Sequence, residues 1–296
     1  MEYVIETKSL TKRFPSKLAV NQIDMRVRKG DIYGLIGKNG AGKTTAMKMM
    51  LGTLTPTSGE IRLFESEDLF KERKRIGALI EAPGIYKSCT AYENMKRFSI
   101  LYGGTDQEIK ELLSFVGLGN VGRRKAGAFS LGMKQRLGIA IALLGNPELM
   151  ILDEPINGLD PAGIKEFRDL ILKLNHEKGV TFLISSHLLD ELGKIATRYG
   201  ILHEGELVEE ISAEDLADRC KIGLMIRTDA PEVALSLLDE KDRAGASLNE
   251  DGLFLPVSPD RSAEINARLV SGGVAVREIF VQNNDFEDYF IQRLGK

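Results

Sequence analysis

The sequence has no tryptophan, only two cysteines and only three histidines. Cys89 and Cys220 lie far apart in the chain, which excludes a disulfide framework and points to a reducing compartment. Each reads either as a reactive thiol or as a small buried hydrophobe. So few histidines and cysteines leave no spacing that would hold zinc. Long apolar runs are missing as well: the best, Leu137–Leu144, falls far short of the roughly 18 residues of a membrane span. The opening MEYVIETKSLTKRF lacks the apolar core of a secretory signal, so the chain is expected on the cytosolic side. Clustered basic residues are also absent. Net charge is −3, and from Ala213 onward 10 basic and 16 acidic residues give −6, leaving +3 for the preceding segment. An acidic tail and a near-neutral front argue against a nucleic-acid groove.

What is present names a ligand class. Gly37 to Thr44 reads GKNGAGKT, which fits G-x-x-x-x-G-K-[ST] at every fixed position. The apolar run Ile32–Ile36 precedes it and Thr45–Leu51, of helical composition, follows, giving the strand–loop–helix context the motif requires. Gly37, Gly40 and Gly42, with Asn39 and Ala41 between them, let backbone N–H groups turn inward around an anion at the positive end of the helix. Lys43 can reach the β- and γ-phosphates and the Thr44 hydroxyl can ligate Mg²⁺. The alternative, a glycine-rich turn that holds nothing, requires the four fixed positions to coincide by chance, as in roughly 1% of chains this long.

Leu149 to Pro155 reads LMILDEP, a buried strand ending in two carboxylates. Asp153 is expected beside the phosphate loop, where it can hold the Mg²⁺ shell, and Glu154 toward the γ-phosphate, where it can deprotonate water. Adjacent carboxylates repel, so metal or Lys43 is expected to compensate them. Phe129 to Arg136 reads FSLGMKQR; Ser130 is a good N-cap and Gly132 removes a side chain near a second anion-seeking helix start. Asn157 to Pro161 reads as a tight turn. His187 follows Ser185 and Ser186 at the C-terminal end of another strand, where open α/β sheets bind ligands.

The first 212 residues alternate apolar strands with helical stretches, the pattern of a mostly parallel sheet covered by helices. Buried strands are expected at Ile32–Ile36, Leu149–Leu152 and Thr181–Ser185, and antiparallel pieces at Val4–Thr7, Ile23–Val27 and Ile61–Leu63, with Thr57-Ser58-Gly59 as a turn. Ile201–Val208, broken at Glu204-Gly205, reads as a hairpin. The stretch 83–127 reads as an inserted helical subdomain, with Asp106–Val116 as one helix. Residues 213–296 form a small α+β domain, with strands at Lys221–Arg227, Gly252–Val257 and Val274–Val281 and helices at Pro231–Leu238, Ser262–Val270 and Asp285–Leu294.

Taken in order, these segments resemble the ATP-binding cassette superfamily, specifically ATPase subunits of transporters, over about residues 2–212. FSLGMKQRL resembles the family signature, and SLGMKQR with LIEAPGIY is similar to bacitracin and lantibiotic exporter subunits. The resemblance implies a P-loop NTPase cassette with flanking antiparallel strands, binding ATP and Mg²⁺. It implies that Lys43, Thr44 and Thr45 bind triphosphate and metal, that Asp153 supports the metal, that Glu154 is the catalytic base and that His187 contacts the γ-phosphate. Phe14 occupies the place of an aromatic stacked on adenine, with a core phenylalanine as the competing reading. Glu81 replaces a consensus glutamine; it can touch Mg²⁺ or water but has the wrong charge for phosphate. Leu131 and Met133 replace glycine and glutamine in the signature. Ser130 and Gly132 are expected to bind the nucleotide of a second copy in a head-to-tail homodimer. A separate integral membrane permease is implied, placing the chain at the cytosolic face of the membrane. Docking falls on Pro83–Arg97, where Ile85, Tyr86 and Tyr92 are either contacts or subdomain core. Two other classes fit a nucleotide site: a non-transport cassette ATPase in translation or DNA maintenance, and a generic phosphoryl-transfer kinase.

Overall fold

A computed structural model describes residues 2–102, 104–220, 223–249, 252–282, 286, 289, 290 and 293. The chain divides into two units, residues 1–213 and 214–296. Among its described residues the first contains ten strands: β1 (Tyr3–Phe14), β2 (Lys17–Ile23), β3 (Arg26–Arg28), β4 (Ile32–Ile36), β5 (Ser58–Leu63), β6 (Ile76–Leu79), β7 (Leu149–Asp153), β8 (Thr181–Ser186), β9 (Arg198–His203) and β10 (Glu206–Ser212). Every residue of β4, β7 and β8 is buried. Strands covered on both faces belong in a parallel sheet, and that is where they lie. The order is β10-β9-β4-β8-β7-β6, parallel from β9 to β6, with β10 antiparallel at one edge.

A second, antiparallel sheet carries β2, β3 and β5 on the long strand β1. The helix α1 (Lys43–Met50), which follows the glycine-rich loop, packs in one core with both sheets. Its Ala46, Met47, Met49 and Met50 share a cluster with Val4, Ile5 and Leu10 of β1 and with Leu35, Ile151 and Leu183. Each buried methionine contributes about 1.5–3 kcal/mol, so the loop is anchored at its C-terminal side by a helix that cannot leave the core cheaply. Helices Ala91–Tyr102, Asp106–Phe115 and Leu131–Ala142 pack together as the helical part. The second begins in a capping box between Thr105 and Glu108.

Two local expectations are corrected, and one helix the sequence did not announce is added. Ile23–Val27 is not one strand: the Thr7 hydroxyl donates to Ile23 O and accepts from Met25 N, both at 2.9 Å, which splits the run between β2 and β3. Ser58 and Gly59 are not a turn but the start of β5. A Cβ on Gly59 would stand 2.3 Å from Ser9 O, so the glycine there permits close approach of two strands. The stretch after Pro161 continues as an 18-residue helix, Pro161–Lys178, with Asp160 as N-cap, proline in its first turn and Gly179 in the left-handed conformation at its end.

The second unit contains β11 (Gly223–Thr228), β12 (Ser247–Asn249), β13 (Gly252–Leu255) and β14 (Val276–Gln282) in the antiparallel order β12-β13-β11-β14. Helices Pro231–Leu237 and Ser262–Ser271 link them in the sequence β-α-β-β-α-β, a split ferredoxin-like arrangement. Leu224, Ile226, Leu253, Leu255, Ala234, Ile265 and Leu269 form its core. Of the helix expected at Asp285–Leu294, Phe286, Tyr289, Phe290 and Arg293 are helical and the others lie outside the described residues, as does Lys221 of the expected first strand.

Candidate nucleotide site

The glycine-rich loop runs from the buried end of β4 into α1. Gly42 is the residue before α1 and has φ 111°, a conformation costly for any residue with a Cβ, and a Cβ there would meet Ala19 O at 2.4 Å. At Gly37 a Cβ would meet Leu202 O at 2.4 Å. The loop therefore holds its shape against neighbouring backbone and presents the N–H groups that open α1 to the outside, where the helix dipole favours an anion. Ala41 is buried inside the turn, its N–H donating to Lys38 O at 3.1 Å, while Asn39 is exposed.

Lys43 is nearly fully buried. Its ammonium donates to Gly37 O at 2.6 Å and lies 3.1 Å from Glu154 Oε1. The Thr44 hydroxyl donates to Asp153 Oδ2 at 2.8 Å, and the Ser185 hydroxyl donates to Asp153 Oδ1 at 2.6 Å while accepting from Glu154 N at 2.9 Å. Glu154 itself has φ 47°, a strained left-handed conformation worth of order 1–3 kcal/mol. His187 Nδ1 is 2.7 Å from Glu154 Oε2. A carboxylate only accepts, so the proton is on Nδ1. Glu154 Oε1 is buried, and among the described residues its close cation is the Lys43 ammonium.

Of these groups Lys43, Thr44 and Glu154 line a cleft of about 310 Å³, together with Phe14, Lys17, Lys38, the loop from Asn39 to Gly42 and Thr45; Asp153, Ser185 and His187 stand behind it. Phe14 is 39% exposed at the rim, with Lys12 Nζ 5.3 Å from its ring centre, so it is not a core residue. Sequence reading thus finds the members brought together: Lys43, Thr44, Asp153, Glu154 and His187 form one connected network. It misses Ser185 as the link between the two carboxylates, and Lys17, whose ammonium donates to Gly40 O at 3.0 Å. The signal for Ser185 is the parallel register, which pairs Asp153 with Ser185.

Two groups stand apart. Ser130 caps Leu131–Ala142 by accepting from Met133 N at 3.2 Å; neither it nor Gly132 lines the cleft. Glu81, exposed and at φ 62°, accepts from Lys48 Nζ at 2.6 Å instead of joining Thr44 and Asp153. Among the described residues no three histidine, cysteine or acidic side chains converge as a metal site, and no helix is long and apolar enough to cross a membrane.

The sequence pattern of the ABC transporter family matches residues 20–157. The bacitracin transport ATP-binding protein BcrA of Enterococcus faecalis is 43% identical across all of this chain and 97% of its own length. The lantibiotic transport ATP-binding protein SrtF of Streptococcus pyogenes is 44% identical over 70% of this chain and 90% of its own. Among solved structures, cbiO1 of Clostridium perfringens, part of an ABC transporter complex, superposes with a TM-score of 0.67 at 25% identity, covering 73% of this chain and 91% of that one. A dimeric bacterial ABC transporter cassette superposes at 0.64 with 25% identity, covering 71% and 98%.

Proposed function

The chain belongs to the ABC transporter family as an ATP-hydrolysing cassette, and from that premise we propose that it energises export of peptide antibiotics through a separate membrane permease, working as a dimer on the cytosolic side of the membrane. The names of its relatives, bacitracin and lantibiotic transport proteins, support the cargo class.

The observation that carries the mechanism is the state of Glu154. Its Oε1 faces the Lys43 ammonium at 3.1 Å beside the phosphate cleft, while Oε2 is fixed by His187. In this reading Lys43 leaves Glu154 for the phosphates, and the freed Oε1 accepts a proton from water as it attacks the terminal phosphorus. The released phosphoryl group keeps the oxygen from that water and the bond to the bridging oxygen of ADP breaks. His187 orients the carboxylate through Nδ1–H. Ser185 fixes both Asp153 and the strained backbone of Glu154, so that the base cannot swing away.

Thr44 Oγ1 and Asp153 Oδ2, 2.8 Å apart, are hard oxygen donors of the kind Mg²⁺ takes when most of its shell is phosphate and water. Bound there, the ion would neutralise charge on the β- and γ-phosphates. Glu81 is proposed as an outer contributor only, since Lys48 holds it. Phe14 at the rim offers its exposed face for stacking on adenine.

Beyond the cap that Ser130 makes, Ser130 and Gly132 do not line the cleft of their own copy. A two-fold partner supplies a further role: an exposed helix start carrying Ser130 would close on the neighbour's nucleotide, and symmetry makes both sites at once. For the permease, the segment Pro83–Arg97 exposes Tyr86, whereas Ile85 and Tyr92 are half-buried. The test is purification from native membranes without disrupting complexes. A polytopic membrane protein recovered with the chain, together with ATPase activity, supports transport; recovery with ribosomes or DNA instead would overturn it.

A further inference from the structure

Helix α1 does more than present Lys43 and Thr44. Three of its side chains each meet one of three carboxylates at the C-terminal ends of adjacent parallel strands: Lys43 with Glu154, Thr44 with Asp153, and Lys48 with Glu81. We propose that Lys48 is a positioning residue of the nucleotide site, holding Glu81 and cancelling its charge one strand over from Glu154, which lines the phosphate cleft. The inference rests on the nucleotide reading above and adds a residue to it.

The register supports the placement. Leu79 of β6 pairs with Leu152 of β7, and Glu81 and Glu154 each follow two residues later. Adjacent strands are about 4.8 Å apart, so the two acids leave the sheet side by side. Both have left-handed backbone conformations, φ 62° and 47°, disfavoured for non-glycine residues and kept at two neighbouring strand ends. Lys48 is five residues after Lys43, a rise of about 7.5 Å along the helix. That step carries the second ammonium from the β7 acid to the β6 acid.

The charge argument is direct. A triphosphate in the cleft meets Glu154 directly, with Asp153 buried behind Thr44 and Glu81 at the next strand end. Lys43 offsets one, and the Thr44 hydroxyl and metal serve another. Glu81 has Lys48 at 2.6 Å. Without Lys48, Glu81 would be an uncompensated negative charge beside an anion site and free to rotate about its side-chain bonds. Because Lys48 is 36% and Glu81 66% exposed, solvent screens the pair and the effect is moderate and salt-dependent.

The experiment compares wild type, Lys48→Met, Lys48→Arg, Glu81→Gln and the Lys48→Met/Glu81→Gln double variant. ATP affinity is measured with a fluorescent ATP analogue at low and high salt, kcat and KM by steady-state hydrolysis, and folding by thermal melting. Lys48→Met should weaken ATP binding about fivefold at low salt and less at high salt, mostly as a rise in KM, while Lys48→Arg stays close to wild type. In the Glu81→Gln background, Lys48→Met should cause no further loss. An equal loss in both backgrounds, or unchanged affinity in Lys48→Met, overturns the proposal. If Lys48→Met melts early, Lys48→Gln gives the same comparison. Failure of the wild-type chain to bind ATP would defeat the nucleotide reading itself; normal binding with an uncoupled pair defeats only the role of Lys48.

Discussion

The Lys43 ammonium lies 3.1 Å from Glu154 Oε1, so the cation of the phosphate loop and the acid at the end of β7 neutralise each other across the cleft. Both are largely buried, which makes the pair costly to break on one side only. On the proposed reading, a triphosphate would supply the replacement partner for Lys43 and leave the carboxylate poised over water. The proposed base would thus be available with substrate bound and masked without it.

Glu154→Gln keeps the shape and the contact to His187 but cannot accept a proton. Turnover should fall by about 100-fold or more, while ATP still drives dimerisation. Sedimentation at saturating ATP checks the second part; a variant that stays monomeric speaks against the sandwich of two copies.

Ser185→Ala removes the hydroxyl that joins Asp153 Oδ1 to the Glu154 amide. Losing a buried partner of a carboxylate should cost about 1–3 kcal/mol of stability. The catalytic effect should be in kcat, about tenfold, with KM nearly unchanged, because the base loses its placement while the loop that binds phosphate is untouched. A pure rise in KM would place Ser185 in binding instead.

Tyr86 is 51% exposed, with the Arg97 guanidinium 5.0 Å from its ring centre. Tyr86→Ala should reduce recovery with membranes severalfold and leave the basal ATPase of the isolated chain intact. Tyr92 is a poorer probe: it is half-buried, so its removal mixes docking with folding. Parallel loss of membrane recovery and ATPase in Tyr86→Ala would indicate misfolding and defeat the docking idea.

The parts of the site that were legible in the sequence are those set by local chemistry. The glycine spacing, Lys43 and Thr44 follow from what a backbone needs to wrap an anion, and Asp153-Glu154 from an apolar strand ending in acids. Long-range pairing was not legible. Ser185 joins Asp153 only because β8 lies beside β7 in parallel register, and Lys48 meets Glu81 only because β6 lies on the far side. In the fold, the fully buried strands β4, β7 and β8 were readable. Of the 12-residue β1 only the start, Val4–Thr7, was, because the strand changes partners along its length and exposes much of its C-terminal half. Neither β2, whose alternation is weak, nor the helix after Pro161, whose Asp160-Pro161 start also fits a turn, was readable.

The central claim is that one nucleotide is held by Lys43 of one copy and Ser130 of the other. Mixing two chains tests it, both carrying Glu154→Gln, one with Lys43→Ala and the other with Ser130→Arg. Their heterodimer has one site with both groups intact and one with both lost. Native mass spectrometry of the mixture should find dimers retaining a single ATP, while neither chain alone forms them. A mixture that retains no more nucleotide and forms no more dimer than its separate components would contradict the account.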